Sequence, residues 1–345
     1  MIKIGVAGLR RGRSLLSVFA QRKDVQVVAI CDRDHERLHK IASEFHVPNT
    51  FDQYSDFLSS NLDAVVIATP APLHADHTIM ALQAGCHVLC EVPAVFSVEE
   101  GQRVVAAVEQ SGQVYMMGEN MNYHHYVRDW KERVHRGELG QVFYAEAEYI
   151  HDCRKIMHGP DNWRAQMPPI YYCTHSLGPL LDILDDRCVS VVGLHTGCHT
   201  APELGVIDME VGLFRTQKGR VLKVLCGFSL SREPAMHWQI FYGTKGSLEN
   251  RRVPWEEAKL YREGDERLQS VVAEASDVNA PAEARAGGHG TSEFYMVDDF
   301  IKAVEFQHAS PIDVYRAMDF SVPGLCAHLS ATREGDPVAV PDFRK

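Results

Sequence analysis

"VVIATPAPLHADHTIMALQAGCHVLCEVP", residues 65–93, decides the fold. An apolar, β-branched run over 64–68 ends in Thr69 and Pro70, and an amphipathic stretch of helical length, 74–84, stops at Gly85. A second apolar run, His87–Cys90, then ends in Glu91. Strand, helix and strand in such close order predict a βαβ unit. Working outward, further strands are expected at 3–7, 26–31 and 114–117, with helices near 13–22, 34–45 and 97–111. The sequence therefore predicts an α/β protein whose residues 1–118 form a doubly wound parallel sheet.

Beyond residue 118 the grammar changes. A helix over 123–136 ends at Gly137. "VFYAEAEYI" (142–150), "DMEVGLFRT" (208–216), "RVLKVLCGFSL" (220–230) and "HWQIFYG" (237–243) then alternate inward and outward residues. Such alternation predicts a large, mostly antiparallel open sheet in a second α/β domain, residues 119–345. The stretch 273–290, "AEASDVNAPAEARAGGHG", has no periodicity and reads as a mobile loop. Helices near 291–305 and 312–331 follow.

Composition narrows the function classes. A net charge of −11 supplies no basic stripe for nucleic acid, and no apolar run is long enough for a membrane span. The opening "MIKIGVAGL" runs straight into a strand without a signal-peptide pattern, which predicts a cytoplasmic protein. Nine cysteines without a CxxC pair exclude a disulfide scaffold, and His195, Cys198 and His199 lack the spacing of a metal site, so no metal is expected.

The strand at 3–7 runs into "IGVAGLRRGRSLL" (4–16), which places Gly8 and Gly12 where a glycine turn meets a helix start. Backbone N–H groups there can meet a pyrophosphate. Arg10 stands where a dinucleotide loop usually has glycine. Either the loop is a residue shorter and Arg10 points outward, or its guanidinium reaches a phosphate. The next strand, "VQVVAIC" (25–31), ends in Asp32, 24 residues after Gly8, where a carboxylate accepts hydrogen bonds from the adenosine ribose diol. That favours NAD over NADP, although Arg33 has the charge to accept a 2′-phosphate. Thr69, Pro70 and His74 lie at the carboxyl edge of the sheet, where open α/β sheets bind ligands.

Taken with the sheet domain that follows, "GTKGSLE" (243–249) and "PIDVYRAMDFSVPGLCAHLS" (311–330), these residues resemble the Gfo/Idh/MocA oxidoreductases over nearly the whole chain. The resemblance implies a Rossmann domain followed by an α/β domain whose sheet mediates a homodimer or homotetramer, and oxidation of a sugar or cyclitol with NAD or NADP. Typical members end the strand before the cofactor in E-K-P; this chain has Glu91, Val92, Pro93. "GENMNYHHYVRDW" (118–130), "EYIHDCR" (148–154), "DNWR" (161–164) and "YYCTHSLGP" (171–179) are similar to segments of the NAD-dependent glycosidases of glycoside hydrolase family 109, a branch that also carries E-V-P.

That resemblance implies Glu91 and Val92 against the nicotinamide ribose, Asn120 on the cofactor, and Tyr149 and Arg164 on the sugar. Tyr172–His175 would match the branch's Y-P-T-H with Cys173 in place of proline, which adds Tyr172 and Thr174 as substrate contacts. The implied reaction is oxidation at C3 of a glycoside, elimination of the C1 substituent, water addition and re-reduction. Two departures concern the sugar: Ala71 and Leu73 flank Pro72 where the branch has aromatic residues, and Ala235, near His237 and Trp238, stands where a tyrosine is expected. Among the residues themselves, His175 opens the amphipathic run "HSLGPLLDIL", and a helix N-terminus favours a neutral ring that serves as a base. Tyr123 is the expected helper at the reacting hydroxyl, and His289, between glycines at the end of the loop, is expected to close on the ligand. A net sugar or cyclitol dehydrogenase and a non-catalytic nucleotide or sugar sensor are the alternatives.

Overall fold

The computed structural model describes residues 1–157 and 162–344, so Asp161 of the "DNWR" motif lies outside the described residues. Six parallel strands, β1 (Ile2–Ala7), β2 (Val25–Cys31), β3 (Asn49–Phe51), β4 (Ala64–Ile67), β5 (His87–Cys90) and β6 (Tyr115–Met117), make the first sheet in the order β3-β2-β1-β4-β5-β6. This is the doubly wound order, with the chain reversing direction across the sheet between β1 and β4. All four residues of β4 are buried, as a central parallel strand covered on both faces requires.

Helices α1 (Leu9–Phe19), α2 (His35–Phe45), α3 (Tyr54–Leu58), α4 (His74–Gln83) and α5 (Val98–Ser111) connect or flank these strands. Their ends follow from side-chain chemistry. The Asp34 carboxylate accepts from the Arg37 N–H to start α2. Ser97 Oγ accepts from the Glu100 N–H to start α5, while Glu100 reaches back to the Phe96 N–H. The strand β3 and helix α3 add to the expected elements. Three residues, two of them exposed, show no apolar period by which β3 could be read.

The second sheet has nine strands among the described residues: β7 (Val142–Ile150), β8 (Cys188–His195), β9 (Met209–Thr216), β10 (Val221–Gly227), β11 (Met236–Gly243), β12 (Gly246–Glu249), β13 (Ala258–Arg262), β14 (Gln269–Val271) and β15 (Val338–Ala339). Their order is β14-β13-β12-β11-β7-β10-β9-β8-β15, and every pair except β7 with β10 is antiparallel. The helices α6 (His125–His135), α7 (Thr174–Leu184), α8 (Ser292–Phe306) and α9 (Val314–Ala331) complete the chain.

By compactness the described chain divides into two units, Met1–Tyr123 with Ser276–Met318, and His124–Ala275 with Asp319–Lys345. The segment containing α8 thus returns to the nucleotide-type sheet, which a single break after residue 118 does not express. Nor does the stretch 273–290 stand free in the structure. Ser17 Oγ donates to the Ala286 carbonyl, the Gly288 N–H donates to Ser14 and Glu293, and Asp277 accepts from Tyr295. No helix among the described residues is long and apolar enough to cross a membrane.

Candidate active site

In the first unit, Gly8 ends β1 with φ 85°, a conformation suited to glycine. A Cβ there would lie 2.3 Å from the Ala68 carbonyl oxygen and 2.5 Å from the Thr69 nitrogen, so the turn can approach the end of β4 only without a side chain. Gly12 is crowded in the same way: a Cβ there would lie 2.9 Å from the Val6 side chain and 3.3 Å from that of Ala68. The helix begins at Leu9, directly after Gly8, with no side-chain cap, and Arg10 is exposed. The turn between β1 and α1 is short, and the helix start that follows it has no side-chain cap of its own.

Asp32 closes β2 and accepts from the Leu9 N–H at 2.7 Å and the Asp34 N–H at 2.9 Å. Arg37 Nη1 lies 3.2 Å from both of its oxygens. These contacts fix the carboxylate at the end of β2. Arg33 is exposed. The glycine cradle and the anchored acidic residue suit a dinucleotide.

The other edge residues are buried in a connected set. His74 Nδ1 lies 2.8 Å from the Pro93 carbonyl oxygen and Nε2 lies 2.9 Å from that of Thr69. Two carbonyl acceptors require two ring N–H donors, hence an imidazolium. Burial opposes that charge, but Cys90 and the two carbonyls outweigh it and push the His74 pKa up to about 9. His74 therefore ties the β4 and β5 loops together. Thr69 Oγ1 pairs with His77 Nδ1 at 3.1 Å; burial and the neighbouring His74 charge push His77 down to about 4. Pro70 precedes a short turn, Ala71–Leu73. Glu91 is buried with Oε1 2.9 Å from Arg11 Nη2, and Val92 is buried beside it, joined to Pro93 by a cis peptide bond. Asn120 and Tyr123 are buried in the turn Asn120–Tyr123.

In the second unit, five rings meet. Tyr149 on β7 is the hub: its ring centroid lies 5.9 Å from Tyr172, 5.4 Å from His175, 5.4 Å from Phe228 and 4.3 Å from His237. Tyr172 and His175 stand edge-to-face at 5.0 Å, and His175 and His237 are 6.2 Å apart. Local structure explains the set. Tyr149 and His237 are register partners on antiparallel β7 and β11, and Tyr172 ends the turn that leads into α7, whose second residue is His175. Aromatic faces with imidazoles at their edge are the means by which proteins grip the apolar face of a sugar and move a hydroxyl proton.

Below this set, buried Glu210 accepts from the Ile170 N–H at 3.1 Å and from His328 Nδ1 at 2.7 Å, fixing the turn that carries Tyr172. Arg164 stacks on Trp163 at 4.2 Å, a cation–π contact. Ala235 is exposed where a tyrosine is expected, and the adjacent strand supplies His237 to the cluster.

Thr174 opens α7 and is fully buried. His289 bonds Glu293 Oε1 through its Nδ1 at 2.9 Å within the first unit. Arg11 and Glu293 in the first unit, and Glu210, Phe228 and His237 in the second, stand with the candidate residues of their own unit without having been expected there. Of these only His237, beside the gap at Ala235, leaves a signal in the sequence.

Residues 2–119 match the oxidoreductase family with an NAD-binding Rossmann fold, Gfo/Idh/MocA, and residues 208–345 match the glycosyl hydrolase 109 C-terminal domain. The chain joins a Gfo/Idh/MocA NAD-binding domain to a glycosyl hydrolase 109 C-terminal domain. Its cofactor is NAD. It is similar to a glycosyl hydrolase family 109 protein of Streptomyces filamentosus, 26% identical over 394 residues, with 100% of this chain and 78% of that protein covered. It is likewise similar to an alpha-N-acetylgalactosaminidase of Shewanella oneidensis, 25% identical over 400 residues, covering 100% of this chain and 85% of that one. In fold it matches levoglucosan dehydrogenase in complex with NADH and levoglucosan, with a TM-score of 0.86, 19% identity and 99% of both chains covered.

Proposed function

We propose that this Gfo/Idh/MocA–family 109 chain is a glycosidase that works through bound NAD and returns the cofactor to its starting state in each turnover. Residues 1–118 serve as the NAD-binding domain, with 276–318 packed in the same unit, and the rest of 119–345 as the substrate domain. The observation that carries this reading is the cluster of Tyr149, Tyr172, His175, His237 and Phe228. It provides a stacking surface and a proton carrier in a chain whose cofactor strand ends in Glu91 and Val92 without a lysine.

When bound, NAD supplies reversible hydride acceptance at C3 of the sugar. The residues of the chain do the rest. The first turn of α1, from Gly8 through Arg10 to Gly12, faces the pyrophosphate, and Asp32 takes the adenosine ribose. Glu91, held by Arg11, accepts from the second ribose rather than acting as base; Val92, Thr69, Pro70 and Asn120 line the nicotinamide end. Tyr149 and Tyr172 stack on the sugar, Arg164 binds its polar groups, and His175 moves the proton of the oxidised hydroxyl with Tyr123 assisting. The substrate class is a glycoside. Exposed Leu194, Leu213, Val221 and Tyr242 on the second sheet support a homodimer or homotetramer through that face. Nine free cysteines, eight of them buried, suit a reducing cytoplasm.

The test is a glycoside screen on protein purified with its nucleotide. Aglycone should be released without growth of the NADH absorbance, and His175→Ala should keep NAD while losing roughly 10²- to 10⁴-fold in turnover. Steady NADH accumulation from a free sugar would make the protein a dehydrogenase instead.

A further inference from the structure

We infer that Glu293 is a positioning residue for the cofactor: its carboxylate fastens residues 287–290 to Arg11 and Ser14 on the first turns of α1 and so holds NAD against dissociation.

Glu293, the second residue of α8, is fully buried. Its Oε1 takes the Arg11 guanidinium and His289 Nδ1, and its Oε2 takes Ser14 Oγ at 2.7 Å and the Gly288 N–H at 2.8 Å. Four donors saturate a carboxylate, which is the condition for burying one. Burial alone would raise its pKa; His289, Arg11 and Ser14 hold it down to about 2.

The donors are not scattered. Arg11 and Ser14 are three residues apart on α1, and Ser17, three further on, donates to the Ala286 carbonyl at 2.7 Å. One face of the nucleotide-binding helix is thereby laced to residues 286–290 along three positions. The two glycines leave room for this closeness. A Cβ on Gly287 would lie 2.1 Å from Glu293 Oε2, and one on Gly288 would lie 2.8 Å from Ser14 Oγ. Arg11 then extends the network, since its other nitrogen, Nη2, pairs with Glu91 Oε1 at 2.9 Å.

A single polar chain, Glu91–Arg11–Glu293–His289, thus joins the end of β5, the turn suited to the pyrophosphate and the loop. A packing role alone would be served by apolar side chains of the same volume, with no charge to desolvate. Retention gives the network its purpose, and that purpose rests on the proposed reading, because a redox-neutral catalyst has no need to exchange its cofactor.

The experiment loads the full chain with NADH and follows loss of nucleotide fluorescence after adding excess NAD. Glu293→Gln, folded by circular dichroism and melting cooperatively, should release nucleotide at least about tenfold faster, the scale of one lost hydrogen bond to a charged group. A folded variant releasing at the wild-type rate overturns the inference. Should Glu293→Gln fail to fold, His289→Gln carries the test: its half-exposed ring can be replaced without stranding the carboxylate, release about threefold faster supports the inference, and an unchanged rate overturns it. Wild-type protein that retains no nucleotide also overturns it. Slow release by a protein that accumulates NADH from a free sugar supports the latch and refutes the glycosidase reading, so the two fail separately.

Discussion

Replacing His74 with glutamine tests the nucleotide edge most sharply, because the ring sits between two carbonyl oxygens, Thr69 at 2.9 Å and Pro93 at 2.8 Å. Its pKa is raised from 6.5 to about 9, so the folded state binds the proton more tightly than the unfolded chain. A raised pKa contributes stability that is fully present below the unfolded value and is lost as pH rises through the folded one. The gap between 6.5 and about 9, at about 1.36 kcal/mol per pH unit, comes to about 3 kcal/mol. Glutamine keeps a donor for one carbonyl but does not titrate. Urea unfolding of both proteins without nucleotide should therefore show wild type more stable at about pH 6, with an advantage that shrinks by about 3 kcal/mol by about pH 9.5. Taking the difference between the proteins removes the other titrating groups that both share. A stability difference independent of pH across that window would refute the imidazolium, and with it the tie between the β4 and β5 loops.

Gly8→Ala should abolish NAD binding and cost at least about 2 kcal/mol in unfolding free energy, since the added Cβ meets the Ala68 carbonyl at a positive φ; nucleotide retention through gel filtration reports the first effect. Tyr149→Ala removes the hub of the ring cluster and should lower stability by roughly 3–5 kcal/mol and kcat/KM by at least about 100-fold. Tyr149→Phe should preserve the fold and isolate the hydroxyl. Glu210→Ala strands the Ile170 N–H and His328 and should cost about 3 kcal/mol with a raised KM and unchanged NAD release, measured by urea unfolding and steady-state kinetics.

Local signals carry the first unit. The β4–α4–β5 segment, Gly8 before α1 and Asp32 after β2 are set by residues close in sequence, where apolar period and glycine have one physical meaning each. The second sheet is legible as alternation, but its strand order is not. β7 pairs with β10 and β11, strands far along the chain, and only that pairing brings His237 onto Tyr149. Glu293 is hidden for the same reason: "TSEF" reads only as the start of a helix until Arg11, Ser14 and Gly288 close around it. The burial of Thr174 and the Glu293 partner of His289 cannot be read from their places in the sequence either.

The most direct test of the central claim is the fate of the C2 proton during glycoside cleavage in deuterated water. An NAD-mediated route through a C3 ketone predicts deuterium at C2 of the released sugar, with bound NAD unchanged in amount at the end. Cleavage that leaves C2 fully protonated, or that continues after all nucleotide has been removed, would contradict it.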